Sequence, residues 1–272
     1  MTRGIDARPI RLVVFDWAGT TVDHGCFAPV QPFVDALAAA GIEITIAEAR
    51  TPMGLAKRDH LRAILAMPRI AARWHEMHRR DVVEADIDML YNEQFVPRQL
   101  KCVRDCCEFV PGLQNCVEKL RAAGIKIATS TGYFAEAARI VFDVAAQRGY
   151  KPDFNNCAGD VRAGRPAPWM IFRSMEALDI YPPSAVVKVG DTVPDIEEGL
   201  NAGAWAVGVT HTGSDVGLTA AELAALPADE RNQRVAQARD MLLAAGAHWV
   251  IDSVADLPAL LPAIEERIRS RT

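Results

Sequence analysis

No two of the six cysteines in this 272-residue sequence (Cys26, Cys102, Cys106, Cys107, Cys116 and Cys157) stand in Cys-x-x-Cys spacing. A zinc site of that kind is therefore not expected. The first ten residues, Met1 to Ile10, carry no apolar signal core, so reduced thiols in the cytoplasm are the expected state. Cys102, Cys106 and Cys107 are then either redox groups or packed thiols. No apolar stretch is long enough to cross a membrane. No basic run offsets the net charge of -5, which argues against nucleic acid as the main partner. Internal repeats and low-complexity tracts are absent as well. Apolar residues are plentiful at 50% of the chain, enough for one large domain or a core with a smaller insert.

The stretch Arg11-Leu-Val-Val-Phe-Asp-Trp-Ala-Gly-Thr-Thr-Val-Asp23 organises the rest. Leu12 to Phe15 is a continuous apolar run, as expected of a strand buried on both faces of a parallel sheet. It stops at Asp16, and Gly19, Thr20 and Thr21 follow as a tight polar turn. A carboxylate at the end of a central parallel strand lies where open α/β sheets place their ligands. There it can attack phosphorus and help to hold magnesium, a cation that favours one or two carboxylates plus phosphate oxygens.

After this strand the pattern is helical. Pro29–Ala40 reads as a helix closed by Gly41. Thr45 and Glu48 have capping-box spacing for a short helix through Arg50. Thr51 is placed to cap a further helix with Pro52 at its first position, and Ile70–Arg80 and Glu84–Val103 extend the series. From about Val110 strands and helices alternate. The strands are expected at Ile125–Ser130, Phe154–Ala158, Ala185–Val189, Trp205–Thr210 and His248–Ile251, with a last helix from about Leu257. The expected fold is α/β: a doubly wound, Rossmann-like parallel sheet with an all-α cap inserted after strand one. Residues 1–24 and 104–272 would form the core and residues 25–103 the cap.

Chemistry-bearing residues recur at four strand ends. Asp16 is the first. Thr131 offers a hydroxyl for a phosphoryl oxygen, or an N-cap for the helix that follows. In Gly164-Arg165-Pro166 the guanidinium can bridge a phosphoryl oxygen and a carboxylate. Gly190-Asp191-Thr192-Val193-Pro194-Asp195 supplies two acids, Asp191 as the metal-ligand candidate and Asp195 as its supporting partner or a favourable charge in the first helical turn. Each signal is weak alone; the ordered set Asp, Thr, Arg, Asp is specific.

With these motifs, and with Pro52-Met-Gly-Leu-Ala-Lys57, Ser130-Thr-Gly-Tyr133 and Lys188-Val-Gly-Asp-Thr192, the sequence resembles the haloacid dehalogenase superfamily, and within it the phosphonoacetaldehyde hydrolases. The resemblance runs nearly end to end; Ser130 stands where a second Thr is expected. It implies Asp16 as nucleophile and Lys57 as a Schiff-base lysine. It also implies a Mg2+ site from Asp16, the Ala18 carbonyl and Asp191, with Thr192 and Asp195 behind it. Thr131 and Arg165 would bind the phosphonate, with Gly54 and Tyr133 as further substrate contacts. Met53 and His60 would serve imine proton transfers. On a helix Met53, Lys57 and His60 share one face at i, i+4 and i+7.

Ala18 is an informative absence, since superfamily phosphatases carry a second Asp there to protonate a departing alkoxide. A methyl group donates no proton, which suits cleavage of a carbon–phosphorus bond. The expected reaction converts phosphonoacetaldehyde to acetaldehyde and phosphate, with a phosphatase or phosphomutase acting on a small phosphate ester as the alternative. For Lys57 to attack an aldehyde its pKa must be lowered by desolvation or by positive neighbours such as Arg58 or the metal. The expected partners are a small phosphonate and a second copy of the chain. That copy would pair through the cap, where Trp74, Met77 and other apolar residues of 70–78 are candidates for the surface.

Overall fold

The computed structural model describes residues 9–270; the first eight residues, which carry most of the signal-peptide argument and the start of the expected core segment, lie outside them. Strand β1, Leu12–Phe15, is buried at every position. Because strand side chains alternate, Val13 and Phe15 enter one apolar layer and Leu12 and Val14 the opposite one. A central strand of this kind must be covered on both faces, which accounts for its unbroken apolar run.

The chain then leaves the sheet for a run of helices: Val30–Ala39, Ile46–Arg50, Lys57–Leu65, Pro68–His78, Glu84–Met89 and Val96–Cys102. A π-helical segment, Leu90–Phe95, joins the last two. Val30, Phe33, Ala36 and Leu37 recur at helical spacing and are buried. They meet Leu61, Ile64, Ile70, Trp74, Leu90 and Phe95 in an apolar cluster separate from those flanking the sheet. The expected capping box forms: Thr45 accepts from the Glu48 amide at 3.1 Å, and Glu48 accepts from the Thr45 amide at 2.8 Å.

Two expectations in this region are corrected. Thr51 and Pro52 do not open a helix; 51–56 is a series of turns and the helix begins at Lys57 with Ala56 as its cap. Gly54 takes φ +93°, a left-handed backbone no helix interior can hold. Met53 therefore shares no helical face with Lys57. Ile70 and Trp74 face inward, fully buried, with Trp74 stacked on His78 at 4.2 Å. Of the named candidates for a pairing surface only Met77 is exposed, and its methyl packs over Gly41.

The chain re-enters the sheet at β2, Lys126–Thr129. Strands β3, Phe154–Asn155; β4, Val186–Gly190; β5, Trp205–Val209; and β6, Trp249–Ile251, follow. All pair in parallel, in the order β3-β2-β1-β4-β5-β6. Helices Leu113–Ala122, Ala135–Gln147 and Leu257–Arg269 cover one face and Trp169–Ala177, Val193–Asn201 and Ala228–Ala244 the other. A short helix, Ala220–Ala225, was not expected. The strand order reverses beside β1, the switch point at which open sheets hold ligands. No described helix is long and apolar enough to cross a membrane.

Candidate active site

Register brings the site together. Phe15 pairs with Thr129 on one side and Val189 on the other. The three strands therefore end level, with Asp16, Ser130 and Gly190 abreast. Backbone bonds from the Ser130 amide to the Phe15 carbonyl and from the Asp16 amide to the Val189 carbonyl, both 2.9 Å, lock the ends.

Asp16 is buried and accepts Arg165 Nη2 at 2.7 Å. Burial raises its pKa, and the attraction of Arg165 only partly offsets that. Asp191 is also buried, held by Thr20 Oγ1 and the Ser214 amide, each at 2.8 Å. Its pKa is pushed well up by burial and then by the like charges of Asp16 and Asp195. One oxygen from each of Asp16, Asp191 and Asp195 lies within 4.8 Å of the others. Asp195 is already occupied, by Lys188 at 2.8 Å, Arg165 at 2.9 Å and the Thr192 hydroxyl at 2.6 Å. Arg165 and Lys188 outweigh burial and hold its pKa below the usual carboxylate value. Asp16 and Asp191 thus form an all-oxygen pair whose mutual repulsion a hard divalent cation would relieve. Ala18 lies beside them in a one-residue bridge to Val22. That bridge runs from the Gly19 amide to the Val22 carbonyl and from the Val22 amide to the Trp17 carbonyl, leaving the Ala18 carbonyl out of it.

Arg165 is a buried hub. Nε meets Glu198 at 3.0 Å, Nη1 meets Asp195, and Nη2 meets Asp16 and the Ser130 carbonyl at 2.6 Å. Thr131 is buried, and its hydroxyl accepts the Tyr133 amide at 3.2 Å. It does not cap the next helix, which starts at Ala135 after Phe134. Thr192 does start its helix, sharing the Asp195 carboxylate between its amide and hydroxyl.

The helical block closes on these loops. A Cβ on Gly54 would strike the Thr192 hydroxyl, one on Gly132 would strike the Leu55 carbonyl, and one on Gly164 would come within 3.2 Å of Ala56. Lys57 is buried as a result, its Nζ 5.2 Å from the centroid of the buried Tyr133 ring. Among the described residues it has no ion pair. Burial lowers its pKa against the opposing pull of Asp16, and its place at the positive end of a helix adds to the effect. Arg58, the expected positive neighbour, points away and pairs with Glu84 and Asp88. Met53 is buried beside this segment. His60 stacks on Phe33 at 4.1 Å and donates Nε2–H to the Ala49 carbonyl at 2.8 Å. Among the described residues Nδ1, a buried acceptor, has no partner, and burial followed by the Lys57 charge holds the ring neutral.

Four participants had no role assigned from the sequence. Lys188, Glu198 and Ser130 surround Arg165, and Arg50 clamps the carbonyls of Gly25 and Ser214 at 2.7 and 3.1 Å. A charge inside the apolar run Val186-Val187-Lys188-Val189 was the available signal for Lys188. Burial raises the thiols of Cys102, Cys106 and Cys107 to about 11, 12 and 11, so they are packed thiols rather than thiolates.

A haloacid dehalogenase-like hydrolase family model matches residues 10–203, and a second HAD-hydrolase-like model matches residues 162–257. The chain is 46% identical to a phosphonoacetaldehyde hydrolase of Syntrophobacter fumaroxidans over 95% of its length and 93% of the relative's. It is 44% identical to one of Nitratidesulfovibrio vulgaris over 96% and 92%. A crystal structure of a phosphonoacetaldehyde hydrolase-like protein from Oleispira antarctica superposes with a TM-score of 0.93 at 39% identity, covering 99% of this chain and 98% of the other.

Proposed function

We propose how this chain, which belongs to the haloacid dehalogenase-like hydrolases and among them to the phosphonoacetaldehyde hydrolases, carries out the hydrolysis of phosphonoacetaldehyde to acetaldehyde and phosphate. Lys57 activates the carbon side and Asp16 takes the phosphorus. The observation that carries this reading is a buried lysine with no carboxylate partner among the described residues, closed over an aspartate already paired with an arginine. A solvated surface lysine would stay protonated, whereas this one is driven toward the free amine that attacks a carbonyl.

The Lys57 amine adds to the aldehyde and loses water to give an iminium. Asp16 attacks phosphorus, and the carbon–phosphorus electron pair moves into the iminium to leave an enamine. Water releases phosphate from the aspartyl phosphate; protonation of the enamine and hydrolysis of the imine release acetaldehyde. No alkoxide departs, so Ala18 needs no acid function. Arg165 and Thr131 take the phosphonate oxygens, with Tyr133 and the Gly54 backbone lining the aldehyde side. His60, whose Nδ1 is a free acceptor, and Met53 serve the proton transfers around the imine. A Mg2+ ion held by Asp16, Asp191 and the Ala18 carbonyl, with Asp195 and Thr192 behind them, would neutralise charge on the phosphonate.

We take residues 25–103 as a cap over a core of 1–24 and 104–272; its closure would shield the imine from bulk water. Six unpaired thiols suit the cytoplasm. Two copies pairing through the cap would have to use Met77 and its surroundings. The test is phosphate release from phosphonoacetaldehyde against a panel of small phosphate esters. Turnover of the phosphonate alone is expected, and faster release from an ester would point to a phosphatase instead.

A further inference from the structure

Glu198 is a fully buried acid with no part in the chemistry described so far. It lies one turn after Asp195 on the helix Val193–Asn201, so both carboxylates face the sheet. Gly199 lets that helix press on the strands, since a Cβ there would lie 3.1 Å from Lys188 Cβ and 3.2 Å from Ala206 Cβ. A single oxygen, Oε2, collects Arg165 Nε at 3.0 Å, Ser130 Oγ at 3.0 Å and Lys188 Nζ at 3.3 Å. The other oxygen, Oε1, has no hydrogen-bond partner among the described residues.

A guanidinium is a planar fork, and two anchored edges fix its plane. Asp195 holds Nη1 of Arg165 but shares the same oxygen with Lys188. Glu198 holds the Nε edge. With both in place, the Nη2 edge is aimed at Asp16 and the Ser130 carbonyl. We propose that Glu198 is a positioning residue for the phosphoryl half of the reaction, fixing the Arg165 plane that orients Asp16 and receives the phosphonate. The proposal rests on the two-part mechanism above, and it makes the two halves separable. Lys57 makes no contact with Glu198, so imine formation should not depend on it.

The experiment compares Glu198→Gln, which keeps shape and removes charge, with Ser130→Ala, which removes the hydroxyl bridging the same three side chains. Ser130→Thr serves as the conservative control. Three quantities are read: borohydride trapping of acetaldehyde on Lys57, kcat for phosphate release, and inhibition by inorganic phosphate. In Glu198→Gln, phosphate release should fall on the order of 10²-fold and phosphate inhibition should weaken, while trapping stays near the parental rate. Ser130→Ala should show the same split in smaller degree, and Ser130→Thr should restore phosphate release. Parallel loss of trapping and phosphate release, or no change in phosphate release and inhibition, overturns the proposal. If Glu198→Gln does not fold, Ser130→Ala against Ser130→Thr decides it. Failure of the Lys57 reading is recognised separately, by a parent enzyme that traps nothing; phosphate release and inhibition then judge Glu198 alone.

Discussion

Lys57 Nζ lies 5.2 Å from the centroid of the Tyr133 ring, and the two residues belong to different parts of the chain. Lys57 opens a helix of the inserted block; Tyr133 follows β2 in the sheet. Their meeting depends on the turns at 51–56, which carry the lysine down to the strand ends. The aromatic face attracts the ammonium form without supplying a full counter-charge, so burial can still lower the Lys57 pKa. A carboxylate in that place would have held Lys57 protonated.

The approach should fail if the turn is filled. Gly54→Ala puts a side chain on a left-handed backbone, costing about 1–2 kcal/mol, and drives a methyl into Thr192. Overpacking adds about 1–3 kcal/mol. The expected result is a folded variant with a lowered melting temperature and kcat reduced on the order of 10²-fold. Parental kcat with the substitution in place would show that this contact does not seat Lys57.

Asp23 sits where the chain leaves the sheet for the helical block, buried, with Oδ2 accepting the Ala28 amide at 2.8 Å. Burial raises its pKa to about 6 from 3.8, against that bond and the attraction of Arg50 and Lys57. The native state therefore prefers the protonated acid. Its contribution is fully present below about pH 4 and is lost as pH rises through about 6. Asp23→Asn should match the parent near pH 4 and exceed it near pH 8 by up to about 3 kcal/mol. Urea unfolding at the two pH values measures the difference; equal gaps at both would contradict it.

Much of this arrangement was legible because every strand that ends at the site is an apolar run halted by a polar turn. Asp16, Thr131 and Asp191 could be located from that pattern alone, and a three-residue Gly-Arg-Pro motif marked Arg165. The start of the Lys57 helix was not legible. Thr51-Pro52 is a sound local helix start, and only the packing of Gly54 on Thr192, from a distant segment, displaces it. Thr131 likewise satisfies the local rule for a cap, yet its hydroxyl takes the Tyr133 amide. Arg58 looked like a neighbour of Lys57 because it is adjacent in sequence, but its side chain leaves on the opposite side to meet Glu84. Glu198 could not be read at all, since its role exists only once the helix is pressed on β4.

The metal pair gives a third prediction. Burial and then the charge of Asp16 push the pKa of Asp191 well up, a conflict that a divalent cation relieves. Turnover should be lost in excess chelator and restored by Mg2+. Asp191→Ala should keep the fold and lose at least about 10²-fold in kcat, while Lys57 remains open to trapping by acetaldehyde. Full activity after dialysis against chelator would contradict the site.

The central claim is a covalent bond at Lys57, and borohydride trapping tests it most directly. Incubation with acetaldehyde or substrate plus borohydride should inactivate the parent and add the mass of a reduced two-carbon imine to the peptide containing Lys57. Lys57→Arg keeps the charge but offers no free amine at neutral pH, so it should give no adduct and lose at least about 10³-fold in turnover. Near-parental turnover in Lys57→Arg, with no adduct in the parent, would contradict the account.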